Sequence, residues 1–187
     1  MAAITRIGFG QVEPNHLSAQ RTSQIYAQLP ANKDIEVLEN GQFVKYDYAS
    51  GECNFTGAGQ WMMVFNEVKL YDDFWRETYK DFAMQKKNYT PGDDEITHNG
   101  LGPLKGQMVP RVIKINIGDH WTTNALGLGN TDGKSTVECG EFALGDLVKI
   151  NDKGFAEVGE DAEFQLQVVK VYTLADGQQA VKLMRIK

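Results

Sequence analysis

Cysteine and histidine are scarce in this 187-residue chain, which has two cysteines and three histidines. Two cysteines cannot build the disulfide framework of a small secreted domain, so the fold must depend on a packed core. The chain also lacks a run of roughly 20 apolar residues, the length that a membrane-spanning helix needs. No basic stretch followed by an apolar one marks a signal peptide at the N-terminus. The sequence therefore predicts no membrane partner.

Basic residues are outnumbered, with 19 Lys and Arg against 25 Asp and Glu, and the net charge is −6. This balance argues against the nucleic-acid backbone as a main partner. A hydrophobic content of 42% is too high for a wholly disordered chain. We therefore expect a soluble, acidic, globular protein with one domain or two small ones.

Glycine is enriched instead, with 19 residues in the chain against a usual share of ~7%. The glycines separate short apolar segments, which is typical of the turns of an all-β protein. We predict a mainly β fold with one or two small antiparallel β-barrel or sandwich units. The clearest strand candidates are Phe43–Tyr48, Trp61–Leu70, Arg111–Ile117, Leu144–Ile150, Phe164–Leu174 and Gln179–Ile186.

Three turns join these strands. The pair Asp176-Gly177 is favoured where both central residues of a turn need positive φ, so residues 164–187 should form a C-terminal β-hairpin. Residues 151–154 and 49–52 also place a glycine between two strand candidates, which predicts two further hairpins.

Composition divides the chain into four segments. Residues 1–30 are polar and nearly uncharged, which predicts an extended N-terminal arm rather than a helix at Leu17–Leu29. The Leu29-Pro30 step marks its end, because proline favours an extended residue before it. We expect a first β unit at 31–90, a linker or long loop at 91–109, and a second β unit at 110–187 that ends in the hairpin.

Two stretches of the chain resemble each other. Val44-Lys45 matches Val148-Lys149, and Val68-Lys69 matches Val169-Lys170, at separations of 104 and 101 residues. Chance recurrence of β-hairpins and duplication of one β unit both explain this match at the level of sequence. If the duplication is real, two small barrels or one pseudo-symmetric β structure follow.

No catalytic, cofactor or metal site has a complete signature. Residues 127–136 carry the Gly-Lys-Ser of a phosphate-binding loop, but the earlier glycine is displaced and a strand, not a helix, should follow. Asp93-Asp94-Glu95 with His98, and Asn130–Gly133, lack the spacing of a calcium loop. Cys53 and Cys139 are expected to be buried thiols. We predict no catalytic residue, cofactor or metal.

Apolar residues in the polar arm and a dense aromatic stretch at 71–75 are the candidate partner contacts. Aromatic residues are enriched in interface hot spots, but a place in the core is the simpler interpretation of the aromatic stretch. The candidates are Phe9, Leu17, Ile25, Tyr26, Leu29, Phe74 and Trp75.

Two stretches resemble small virion structural proteins of tailed bacteriophages, above all the auxiliary or decoration proteins of the head. They are TRIGFGQVEPNHLSAQRTSQIYAQLP near the N-terminus and LGDLVKIND with FQLQVVKVYTLADGQQAVKLMRIK near the C-terminus. The resemblance covers most of the chain in style and contains no diagnostic motif.

The resemblance implies a non-enzymatic protein, made in the host cytoplasm and bound to the capsid surface of the virion. Its partners would be the major capsid protein or other virion proteins, and dimers or trimers are common among such proteins. A neck, tail or head-fibre component is the alternative within the virion. A soluble β-barrel ligand-binding module or enzyme is the alternative outside it.

Overall fold

The computed structural model describes residues 2–66, 83–86 and 108–187, and it is mainly β, as predicted. One short helix, α1, covers Ala19–Thr22. The strands are β1 Ala2–Ile7, β2 Val12–His16, β3 Ile25–Tyr26, β4 Val37–Glu39, β5 Phe43–Asp47, β6 Glu52–Asn54, β7 Gln60–Val64, β8 Ala83–Gln85, β9 Val112–Lys114, β10 His120–Thr123, β11 Thr136–Phe142, β12 Leu147–Ile150, β13 Ala156–Val158, β14 Leu166–Thr173 and β15 Gln179–Arg185.

The strands form two larger antiparallel sheets with the same internal order. The first sheet runs β6-β5-β7-β9-β3, and the second runs β13-β12-β14-β15-β10, with β2 added at its outer edge. The strands at equivalent positions of the two sheets also follow one another in the same order along the chain. Two further pairs, β4 with β8 and β1 with β11, make separate two-stranded sheets.

Hydrogen bonds repeat between the two sheets at a separation of 104 residues. Gly41 donates its backbone N–H to Val64 at 2.9 Å, and Gly145 donates to Val168 at 2.8 Å. Both glycines have a φ near +90°, at +88° and +90°, a backbone conformation that glycine adopts without strain. The chain therefore contains two copies of one β topology, which is the pseudo-symmetric arrangement that a duplication would produce.

The equivalence corrects part of the sequence alignment. Val44 and Val148 occupy matching positions on the second strand of each sheet, because they pair with Met62 and Leu166, which are themselves 104 residues apart. Val168 corresponds to Val64, so the predicted match of Val68-Lys69 to Val169-Lys170 is displaced along the chain. Residues 68 and 69 themselves lie outside the described residues.

In each unit, a segment that follows one strand bridges to the strand at the opposite edge of the sheet. Ala31, which follows β3, makes a parallel bridge with Cys53 on β6, the strand at the opposite edge. Leu126, which follows β10, makes the matching bridge with Ala156 on β13. This contact between the edges removes part of the exposed backbone that an open sheet would present.

The C-terminal hairpin is confirmed, but its turn differs from the predicted type. Gly177 has a φ of +86°, whereas Ser23 is the only non-glycine residue with positive φ in the described part of the chain. Gly177 N–H donates to the Leu174 carbonyl, and Leu174 N–H donates to the Gln178 carbonyl. This is a type I turn closed by a glycine bulge, which needs only one residue with positive φ.

An extended N-terminal arm is not confirmed. Residues 2–7 pair with β11 and residues 12–16 pair with β10, so the segment completes sheets of the second unit. Only Ala19–Thr22 is helical within 17–29. The segment has few apolar residues, but its backbone N–H and C=O groups pair with strands more than 100 residues away.

Strand pairing places the junction between the two equivalent sheets at residues 115–119. Because β9 pairs with β7 and β10 pairs with β15, the change of sheet comes after Lys114. The predicted linker began earlier, at 91, and residues 91–107 lie outside the described residues. The long insertion in the first unit joins β7 to β9, where the second unit has only the tight turn before β15.

Two apolar clusters form the core. The larger one joins the second sheet to the inner face of the first and contains Trp121, Phe43 and Phe142. The smaller one, around Tyr46 and Val44, lies within the first unit. Since Phe43 on β5 contacts both Trp121 and Phe164, the apolar packing fixes the two units against each other.

Candidate functional site

A groove lies between β11 and β13, near the outer edge of the second unit. Among the described strands, β11 pairs only with β1, whereas β13 pairs with β12 and also meets the 126–127 segment at Ala156. Leu128 and Val158 line the groove and are 51% and 50% exposed. Apolar side chains beside strand edges are features of surfaces that bind another polypeptide.

The groove is also acidic. Glu138, Glu141 and Glu157 line it, and Lys149 forms an ion pair with Glu157 at 3.3 Å. Its base is formed by buried Cys139 and Phe142. The arrangement therefore offers an apolar floor with carboxylates at the rim, which suits an extended segment that carries apolar and basic side chains.

A second concave site, which we call the inter-unit cleft, has a volume of about 260 Å³. Its lining comes from β5, β7 and β9 of the first unit and from β15 and the 161–164 loop of the second. Lys114 on β9 and Arg185 on β15 hold equivalent positions, since they pair with Met62 and Leu166 at the same place in the two sheets. The cleft is thus built from matching parts of the two units.

Aromatic rings and cations alternate in the inter-unit cleft. The Lys45 Nζ lies 5.2 Å from the centroid of the Trp61 indole. The Arg185 guanidinium carbon lies 4.4 Å from the centroid of the Phe164 ring. Such cation–π contacts hold each charge over a ring face and orient it.

Arg185 is further oriented by the backbone. Its Nη1 donates to the Ile115 carbonyl and its Nε donates to the Lys187 carbonyl. Partial burial lowers the pKa of Arg185, an effect that the nearby Asp119 carboxylate opposes. In the described part of the chain, Nη2 has no hydrogen-bond partner.

Asp161 contributes a carboxylate to the cleft, but local backbone groups use it. Its Oδ1 accepts the N–H groups of Glu163 and Phe164, both at 2.7 Å. These bonds, chiefly that from Phe164, lower the pKa of Asp161. The carboxylate therefore shapes the 161–164 loop and leaves the neighbouring cations available.

The 130–135 loop, considered above as a phosphate or calcium loop, is closed by its own side chains. Asn130 Oδ1 accepts the N–H groups of Asp132 and Gly133, and Asp132 Oδ1 accepts those of Lys134 and Ser135. The strand β11 follows directly, as expected, so no helix N-terminus faces the loop. Among the described residues, no group of three potential ligands could hold a metal ion.

The structure does not bring the predicted partner contacts together on one surface. Phe9 and Leu17 are buried, and Leu17 belongs to the larger core cluster. Ile25, Tyr26 and Leu29 are half-buried and pack on the two clusters. Phe74 and Trp75 lie outside the described residues.

Both cysteines are buried free thiols, as expected, and they lie in different core clusters. The sequence did not indicate that His16 and His120 stack, with ring centroids 5.6 Å apart. Nor did it indicate the inter-unit cleft, because no local motif connects Lys45, Lys114 and Arg185.

No protein-family model, curated protein or solved structure matches this chain. In the described part of the chain, no helix is long and apolar enough to cross a membrane.

Proposed function

We propose that this chain is a non-enzymatic virion structural protein that binds the capsid shell of a tailed bacteriophage as a decoration protein. The resemblance of its N- and C-terminal stretches to such proteins is the starting point. Support comes from a chain in which two β units pack on a shared core and leave strand edges exposed.

The observation that carries the proposal is the groove between β11 and β13. Leu128 and Val158 expose half of their surface beside β11, which pairs only with β1 among the described strands, and beside the end of β13 beyond the Ala156 bridge. An extended peptide can add to such an edge through main-chain hydrogen bonds, and neighbouring side chains then select its sequence. We assign this groove to an extended segment of the shell protein that carries apolar and basic residues.

Repetition strengthens such a contact. A shell presents many copies of the same segment, so weak binding at each groove is sufficient for stable coverage when copies also contact one another. A neck, tail or head-fibre location remains the alternative within the virion. Copy number separates the two, because a lattice protein is present in hundreds of copies and a neck protein in about a dozen, as the resemblance implies.

The test is quantitative mass spectrometry of purified particles from the phage that encodes this chain. We expect the chain in particles at a ratio to the major shell protein that matches a lattice site. Its absence from particles would overturn the virion proposal. About a dozen copies per particle would assign it to the neck or tail instead.

Variants test the groove itself. Leu128→Asp and Val158→Asp should reduce the number of copies per particle, because a carboxylate replaces an apolar contact surface. Ile117→Asp is the matched control, since Ile117 is 69% exposed but lies away from the groove, at the junction between the sheets. Equal incorporation of all three variants would remove the groove as the contact.

A further inference from the structure

The inter-unit cleft has an excess of positive charge in an acidic protein. Lys45, Lys114 and Arg185 line it, against the two carboxylates of Asp161 and Glu163, so its net charge is +1. Among the described residues, no carboxylate lies within 4.0 Å of any of these three cations. The three cations therefore make no direct ion pair with a described residue, although Asp119 acts on Arg185 and Asp161 acts on Lys45 at longer range.

The charge of the inter-unit cleft favours one class of ligand. A single excess positive charge matches a monoanion better than a phosphate group, because Glu163 and Asp161 would repel additional negative charge. The unused Nη2 of Arg185 and the ammonium groups of Lys45 and Lys114 are donors suited to a carboxylate. A carboxylate thus fits the polar side of the cleft.

Two aromatic side chains, with Gln60 beside them, complete the lining. Trp61 is half-buried and lines the cleft with part of its indole. The ring of Phe164 packs against the Arg185 guanidinium. A volume of about 260 Å³ is below the range of drug-sized sites, roughly 300–1,000 Å³. The ligand should therefore be the size of one amino-acid residue with a flat apolar body.

We propose that the inter-unit cleft binds a small aromatic monocarboxylate. Two sources supply this chemistry, a free aromatic acid and the carboxyl-terminal aromatic residue of a polypeptide. In either case Lys114 and Arg185 hold the carboxylate, and the ring packs against Trp61. This assignment goes beyond the proposed capsid binding and does not depend on it.

The first experiment records amide chemical shifts of the full-length chain during titration with four probes. Two are 3-phenylpropionate and its neutral amide, and two are N-acetyl-glycyl-phenylalanine with a free or an amidated carboxyl terminus. We expect the two acids to shift the backbone amide signals around Trp61 and Lys114. The two amidated probes should bind at least roughly tenfold more weakly than the acids, because charged hydrogen bonds are lost.

The pattern of binding distinguishes the sources. Binding of the peptide acid alone assigns the site to a polypeptide carboxyl terminus, and binding of 3-phenylpropionate alone assigns it to a free acid. Equal behaviour of each acid and its amide, or shifts only outside the cleft, would overturn the proposal.

Variants locate the bound carboxylate. Lys114→Met removes the charge and leaves an unbranched side chain only one heavy atom shorter, so the affinity for the acid should fall roughly tenfold. Lys182→Met is the control, because Lys182 lies on β15 with Arg185 but does not line the cleft. Unchanged affinity in Lys114→Met, with the fold intact by its amide spectrum, would contradict the assignment. Since no particle is used, this result is independent of the virion test.

Discussion

Arg6 and Glu39 form a buried ion pair, with Nη1 and Oε2 2.5 Å apart and the two side chains 0% and 1% exposed. Arg6 also donates to the carbonyls of Gly8 and Leu128, and Glu39 accepts the N–H groups of Gly10 and Asn130. The pair therefore ties the N-terminal segment to the end of β4 and to the loop that contains Leu128 and Asn130.

Glu39→Gln should destabilise the fold strongly. The substitution leaves the Arg6 charge buried without its partner, which costs about 3–5 kcal/mol of unfolding free energy. Chemical denaturation measures the loss. The matched control is Glu36→Gln, which removes an ion pair with Lys86 in which Glu36 is 71% exposed. The control should cost about 0–1 kcal/mol, and equal losses in both variants would contradict the role of burial.

Gly154→Ala should be far more harmful than Gly177→Ala. Both glycines close a hairpin with positive φ, at +81° and +86°, so each alanine carries the same backbone strain of roughly 1–2 kcal/mol. A Cβ at Gly154 would also lie 2.0 Å from the Phe43 carbonyl oxygen, whereas one at Gly177 meets no atom within 4 Å. We expect an extra loss of about 1–3 kcal/mol in thermal or urea unfolding. Similar losses would show that the contact relaxes freely.

Deletion of residues 1–16 should impair folding. It removes β1 and β2, which pair with β11 and β10, and exposes the edges that they cover. We expect lower amide dispersion and a less cooperative thermal transition. A truncated chain that folds like the full-length protein would show that the segment is dispensable, as an extended arm would be.

The cysteine thiols should be unreactive in the folded protein. Burial raises the pKa of Cys53 to about 12 and also raises the pKa of Cys139, so at pH 8 neither is the nucleophilic thiolate. A coloured disulfide reagent should detect no thiol under native conditions and both in denaturant. Rapid native labelling of either cysteine would contradict its burial.

Asp132 should contribute to acid sensitivity. Hydrogen bonds from the hydroxyl and N–H of Ser135 lower its pKa to about 2. The contribution is fully present above the ordinary pKa of 3.8 and is lost as the pH falls through about 2, because the folded state favours the charged form. The stability difference between wild type and Asp132→Asn should therefore be constant at neutral pH and close near pH 2.

Asp152→Asn is the control for this pH dependence, because it removes one exposed charge from a different turn. Denaturation curves recorded between pH 2 and pH 7 give the stability of both variants relative to wild type. A difference for Asp132→Asn that does not change with pH would assign its effect to the loop structure rather than to the charge.

Local features of this fold could be predicted from the sequence. Asp176-Gly177 identified the C-terminal hairpin, and the Val-Lys pairs at 44 and 148 identified matching strands of the two sheets. These features depend on a few consecutive residues, such as a glycine with positive φ or an alternating apolar stretch. Composition and turn spacing thereby determined a mainly β chain with an internal repeat.

Pairing between distant strands was decided only by the tertiary structure. The polar N-terminal segment forms β1 and β2 because its backbone groups hydrogen-bond to β11 and β10. An alternating sequence pattern can predict a strand, but it does not specify which distant strand it pairs with. The inter-unit cleft likewise required Lys45, Lys114 and Arg185 to meet across two units. Local patterns were enough to predict β-hairpins and a candidate repeat, whereas the packing of the two units brought the side chains of the cleft together, because that packing depends on the combined shape of both surfaces.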